Sequence, residues 1–155
     1  MYNIVFVCYG NICRSPMAEM IFKDLIFKNN KRYMFTCTSR STSMEEIGNG
    51  MYPKAIDILN DNNIVIEKHK AQQLKKDDYN NYDLIIGFEN RNINDILRII
   101  GDDSMNKVHL LGDYLDGREI DDPWYTDDFI TAYNDIYNCV IAMYNKLVEE
   151  EHNEI

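Results

Sequence analysis

Proline and glycine are scarce, 3 and 7 in 155 residues, and they never cluster. No Pro/Gly-rich linker, low-complexity tract or internal repeat therefore divides the chain, and residues 1–155 read as one domain, long enough to bury its own core. No apolar run is long enough to span a membrane. Met1 leads straight into strand-like sequence without a basic stretch, so no secretory signal peptide is expected. The three histidines, His69, His109 and His152, lack ligand spacing, which predicts no metal site. Cysteine is limited to Cys8, Cys13, Cys37 and Cys139, a usage that suits a reducing compartment, with the cytoplasm as the default. Basic charge is short in the second part of the chain. Residues 101–155 hold 14 acidic and 3 basic side chains, whereas the first 100 hold 12 and 13, giving a net charge of −10. A nucleic-acid partner would meet net repulsion and is not expected.

Strand-like and helix-like segments alternate along the chain. Short β-branched and aromatic runs mark strands at 3–8, 33–38, 82–88 and 107–111. Helical spacing marks 15–30 (Met17, Ile21, Leu25), 52–62 (Ala55, Ile58, Leu59) and 92–100 (Ile93, Ile96, Leu97, Ile100). A polar loop covers 112–126, and a last helix runs from about Asp127 to Glu150 with Phe129, Tyr133, Ile136, Tyr137, Val140, Tyr144 and Leu147 on one face. The order predicts an α/β fold, a parallel sheet with helices on both faces. Ligands of such sheets sit at the carboxyl ends of the strands. Cys8 ends the first strand, Glu89 follows the third, and the 112–126 loop follows the fourth, so all three arrive at one edge.

The most informative stretch is Val5-Phe6-Val7-Cys8-Tyr9-Gly10-Asn11-Ile12-Cys13-Arg14-Ser15-Pro16. It reads as a strand, a tight loop and the first turn of a helix. A loop of this kind aims backbone N–H groups at one spot, where the helix dipole also favours negative charge. A thiolate at Cys8 would sit over that spot, and Arg14 would supply a bidentate phosphate clamp. The chemistry suggested is attack by sulfur on a phosphate ester. Gly10 suits a tight turn, Asn11 tolerates a left-handed conformation, Ser15 suits an N-cap and Pro16 the first helical position. A bare Cys-x5-Arg is weak: with 4 cysteines and 6 arginines, roughly 0.15 such pairs arise by chance. A buried cysteine at a strand end with a surface arginine is the alternative that the residues leave open.

Val7 through Glu19 resembles the signature of the low-molecular-weight protein tyrosine phosphatases, and Asp122-Pro123-Trp124-Tyr125 is similar to that family's acid loop. Tyr82-Asp83-Leu84-Ile85-Ile86 and Leu110-Leu111-Gly112-Asp113-Tyr114 also resemble family segments, in the right order, so the resemblance spans essentially the whole chain. It implies a single three-layer domain on a four-stranded parallel sheet. It also implies hydrolysis of phosphotyrosine through a cysteinyl-phosphate, without a cofactor, with Cys8 as nucleophile, Arg14 as clamp and Asp122 as general acid. From the residues alone, Asp122-Pro123 could equally be a surface turn, and Asp121 stands beside it; the resemblance selects the aspartate before the proline. Tyr9, Gly10, Asn11, Ile12, Cys13 and Ser15 become the phosphate loop, with Ser39 bracing it from the second strand and His69 in a structural role. The resemblance makes Cys13 a redox partner of Cys8, although a small buried side chain is the equal alternative. Cys37 and Cys139 read as core. The implied partners are phosphotyrosine-containing proteins, with inorganic phosphate as product inhibitor and a monomeric enzyme.

The chain departs from the family pattern in several places. Ser39-Arg40-Ser41-Thr42 replaces a more usual Ser-Ala-Gly-Thr, Phe88-Glu89 replaces Met-Asp, and Ala71-Gln72-Gln73 replaces Ala-Arg-Gln. Glu45, with Glu46 beside it, stands where many members line the cleft with an aromatic ring. Trp124 and Tyr125 would then sandwich the substrate ring, and the two acids would disfavour acidic peptides. Three other readings fit the scaffold. Arsenate reduction needs a cysteine relay, and Cys37 and Cys139 form no close pair. A non-catalytic phosphate-binding module would need neither Cys8 nor Asp122. Phosphoarginine activity goes with threonine in the family, where this loop has Ile12.

Overall fold

The computed structural model of the chain describes residues 1–153. The expected domain runs to Ile155, and its last two residues lie outside the described ones. Four strands, β1 (Tyr2–Cys8), β2 (Phe35–Ser41), β3 (Leu84–Gly87) and β4 (Val108–Leu110), form one sheet in the order β2-β1-β3-β4, every pair parallel. Between and after them run helices α1 (Arg14–Lys28), α2 (Pro53–Asp61), α3 (Asn90–Ile100), α4 (Pro123–Thr126) and α5 (Phe129–Asn153). The expected α/β architecture is the observed one.

Alternation along β1 builds two cores at once. Ile4 and Phe6 face α1 and α5, against Met17, Ile21 and Phe22 from one helix and Ile136, Val140 and Met143 from the other. Val5 and Val7 face the opposite way, against Ile85, Leu74 and the Ile96 and Ile100 of α3. Both faces of the strand are sealed, which is why it reads as a continuous apolar run. Phe22 is the hub of the larger core, edge-on to Phe6 (6.2 Å), Phe35 (5.7 Å) and Tyr144 (6.2 Å). Each such fully buried side chain contributes about 2–3 kcal/mol relative to leaving it in water.

Most element bounds shift by one or two residues from the sequence expectation, and three differences have a physical reason. β2 spans 35–41 rather than 33–38, because Lys31 to Met34 form a turn closed by the Lys31 N–H to Ile26 O and Met34 N–H to Lys31 O bonds. The strand continues past Cys37 through buried Ser39 and Ser41, polar inward residues that hide its end. The 112–126 stretch is not a plain loop: it holds a helical turn at Leu111–Tyr114 and the one-turn α4. α5 starts at Phe129, two residues later than expected, after Asp127 takes a left-handed φ of 57° that ends α4.

Candidate active site

Cys8 closes β1 and is nearly fully buried. Its sulfur is surrounded by oriented donors. The Asn11 N–H donates to Cys8 Sγ at 3.3 Å, and Ser15 Oγ lies 3.0 Å from the sulfur. The direction of the second contact follows from Asn11. Its Oδ1 accepts from the Gln72 N–H (3.1 Å), which fixes the amide, so its Nδ2 donates to Ser15 Oγ (2.7 Å). The hydroxyl proton of Ser15 is then free to point at the sulfur.

Asn11 is the hinge of the loop. It is fully buried with φ of 60°, a left-handed conformation that asparagine tolerates better than most residues. Its carbonyl lies 2.7 Å from His69 Nε2, and because a carbonyl only accepts, that nitrogen carries the proton. His69 thus holds the loop from outside, in the structural role expected. Gly10 does not carry the turn: its φ is not positive, and a Cβ there would make ordinary contact with Glu46 and Ile12. Ser15 corrects a second expectation. The N-cap of α1 is Cys13, which makes Pro16 the third helical residue, and the Ser15 hydroxyl serves the thiol instead of the helix end.

Arg14, only 2% exposed, is held by three partners. Its Nη1 donates to the Glu89 carboxylate and to Ile120 O (2.9 Å), and its Nη2 stands 3.4 Å from Asp122 Oδ2. The guanidinium lies over the Phe88 ring at 5.9 Å. Glu89 was placed at the right sheet edge by the sequence but given no role there. The Asn92 side chain fixes its turn, with Oδ1 accepting from the Phe88 and Glu89 N–H groups at 2.9 and 3.0 Å.

Asp122 caps α4, its Oδ1 accepting from the Trp124 N–H at 3.0 Å, and its extended φ and ψ of −73° and 114° are those imposed by a following proline. The stretch that carries it is folded back at Gly112, where a Cβ would lie 1.7 Å from Arg118 O. Only glycine allows that backbone approach, which brings Ile120 and Asp122 to Arg14.

An open cleft of about 530 Å³ has Cys8, Arg14 and Asp122 at its base. Trp124 and Tyr125 line it and are exposed, and Ile12, Tyr9 and Glu45 also face it. The Tyr9 hydroxyl donates to Glu45 Oε1 at 2.7 Å, which raises the phenol's pKa, and the Arg91 guanidinium covers the Tyr9 ring at 4.6 Å. Cys13 lines the same cleft. Burial, then the nearby Cys8, pushes its pKa up, so it stays a thiol. All four cysteines are unpaired and buried.

Ser39 is a correction. Its hydroxyl donates to Glu19 Oε1 at 2.6 Å and so braces α1 rather than the loop, because β2 turns Ser39 toward that helix. The serine that reaches the loop is Ser43, whose Oγ and N–H both donate to Tyr9 O, at 2.9 and 3.0 Å. Nothing in the run Ser41-Thr42-Ser43 singles it out in sequence.

Fold and site together define a phosphate-handling α/β protein with a thiol at the floor of its cleft. The family described as low molecular weight phosphotyrosine protein phosphatase matches residues 3–154, and the chain belongs to that family. It is 38% identical over 138 residues to the low molecular weight phosphotyrosine protein phosphatase of Saccharomyces cerevisiae, covering 85% of each chain. It is 33% identical to the one of Homo sapiens, covering 93% of this chain and 94% of that one. The crystal structure of YfkJ from Bacillus subtilis matches with a TM-score of 0.93 at 29% identity, covering 97% and 96%. Vibrio vulnificus Wzb in complex with benzylphosphonate matches with a TM-score of 0.83 at 30% identity, covering 94% and 98%.

Proposed function

We propose that this protein hydrolyses phosphotyrosine in proteins, and small aryl phosphates, through a cysteinyl-phosphate. The observation that carries the reading is the convergence of a buried sulfur, a buried guanidinium and a carboxyl group from three separate elements on one cleft. The Cys8 thiolate attacks phosphorus, forming the S–P bond as the P–O bond to the aryl group breaks. Asp122, entering as the carboxylic acid, gives its proton to the departing oxygen, a contribution of about 10²- to 10⁴-fold. Water then attacks phosphorus, Asp122 takes its proton, and the S–P bond breaks to release inorganic phosphate, which competes for the same loop. Arg14, with Nη1 anchored, offers its remaining edge to the equatorial oxygens, where negative charge spreads in the transition state. Ile12 and the ring-lined mouth support an aryl ester as substrate. Cys37 and Cys139, buried on β2 and α5, give no support to a cysteine relay for arsenate.

The site is built from one chain, which supports a monomer as the catalytic unit, and four unpaired thiols support a reducing compartment such as the cytoplasm. No helix among the described residues is long and apolar enough to cross a membrane. A reversible Cys8–Cys13 disulfide is the redox device the shared cleft supports; peroxide-treated protein that yields no such link by mass spectrometry would rule it out. The test of the activity is hydrolysis of a phosphotyrosine peptide by wild type and Cys8→Ser. Turnover is expected only in the wild type, and equal rates would remove Cys8 from the mechanism.

A further inference from the structure

Tyr52 touches both halves of the cleft. Its N–H donates to Ile12 O in the phosphate loop at 2.9 Å. Its ring meets Trp124 edge-on, with centroids 5.1 Å apart and planes at 70°, and stacks on Phe129 at 5.7 Å and 13°. The backbone N–H of Trp124 in turn donates to Asp122 Oδ1 at 3.0 Å. The acid turn needs an external support of this kind. α4 is four residues long, too short to hold itself, and of its side chains only Pro123 is buried. Two residues on, Lys54 Nζ reaches Asp127 Oδ1 at 2.5 Å, but that pair is exposed and contributes little.

We propose that Tyr52 is a positioning residue, whose ring holds Trp124, and through it the Asp122 carboxyl, at a fixed reach over the phosphate loop. The proposal rests on Asp122 being the general acid. A proton donor works only within hydrogen-bond reach of the departing oxygen, and a shift of about 1 Å is costly. Loss of the ring therefore slows protonation of the leaving group and leaves phosphate binding alone, because the bond to Ile12 uses the Tyr52 backbone. Ordinary core packing would instead impair every substrate alike.

The experiment compares kcat/KM for phenyl phosphate, a poor leaving group, with p-nitrophenyl phosphate, a good one, alongside inhibition by inorganic phosphate. Tyr52→Leu is expected to lower kcat/KM for phenyl phosphate about five- to tenfold, the scale of one aromatic pair, and to change p-nitrophenyl phosphate by less than about twofold. Phosphate inhibition is expected to stay unchanged, Tyr52→Phe to restore the wild-type ratio, and Asp122→Asn to show the same selectivity more strongly. Equal losses on both esters, weakened phosphate inhibition, or no loss would overturn the proposal. If the leucine variant does not fold, Tyr52→Met carries the comparison, and failure of both to fold would assign Tyr52 a purely structural role. A wild type inactive on both esters would overturn the phosphatase reading itself. Acrylamide quenching of Trp124, the one tryptophan, would then decide the tie: quenching rises in Tyr52→Leu if the contact is real and stays level if it is not.

Discussion

Arg14 is a nearly fully buried cation at the lining of the cleft, held by its neighbours. A buried guanidinium needs partners that answer it, and Glu89, Ile120 O and Asp122 do so here. Removing Glu89 leaves the charge under-compensated and the fork free to swing. Glu89→Ala is expected to cost roughly 1–3 kcal/mol of stability and to lower kcat by about 10- to 100-fold, as misplacement of a clamp does. Urea unfolding and turnover measured together check both effects, and wild-type values for both would show that Arg14 is held by something else. That Cys8 and Arg14 meet at one cleft was legible from local punctuation, a strand end and a helix start, whereas Asp122, which lines the same cleft, was singled out from a surface turn only by the family resemblance. Glu89 was not legible, because its partner lies 75 positions away and the pairing exists only once β1 and β3 are side by side.

At the scale of elements, the phosphate loop and the acid turn are held differently. The loop is fastened from within by Asn11 and from outside by His69, Gln72 and Ser43. The acid turn hangs at the end of a stretch folded back at Gly112. Gly112→Ala puts a methyl group into the Arg118 backbone, which must shift. The expected result is a loss of a few kcal/mol, in the range of overpacking, with aryl phosphate turnover falling further than phosphate affinity, because Ile120 and Asp122 ride on the displaced segment. Thermal unfolding with phosphate titration tests this; an unchanged melting temperature would mean that the backbone relaxes without strain. The fold-back itself was not readable from sequence. Its turns are one helical turn long, below the span in which periodicity can be seen, whereas α5, with seven apolar positions on one face, was read to within a few residues. Ser39 was misjudged for a related reason: sequence tells that a β2 residue points inward, not which neighbour its hydroxyl meets.

The whole molecule carries net charge −10, concentrated in residues 101–155, yet its cleft must admit a dianion. On the proposed reading Arg14 and the loop amides receive the phosphoryl group, while Glu45 and Glu46 line the same cleft and Arg91 covers the Tyr9 ring beside it. Glu45 is fixed by the Tyr9 hydroxyl, so its charge stays in place as substrate enters. Phosphotyrosine peptides with acidic flanks are expected to show kcat/KM lower by about three- to tenfold than peptides with basic flanks, with the gap closing at high salt. No preference at low salt would remove Glu45 and Glu46 from specificity.

The most direct test of the account is to trap the covalent intermediate. Protein mixed with a ³²P-labelled aryl phosphate and quenched in acid within milliseconds should carry label on the peptide holding Cys8, as a thiophosphate ester, and the Cys8→Ser protein should carry none there. Hydrolysis of the ester by a wild type that never acquires label at Cys8 would contradict the mechanism, since phosphate would then pass to water without visiting the sulfur on which the rest of the site is built.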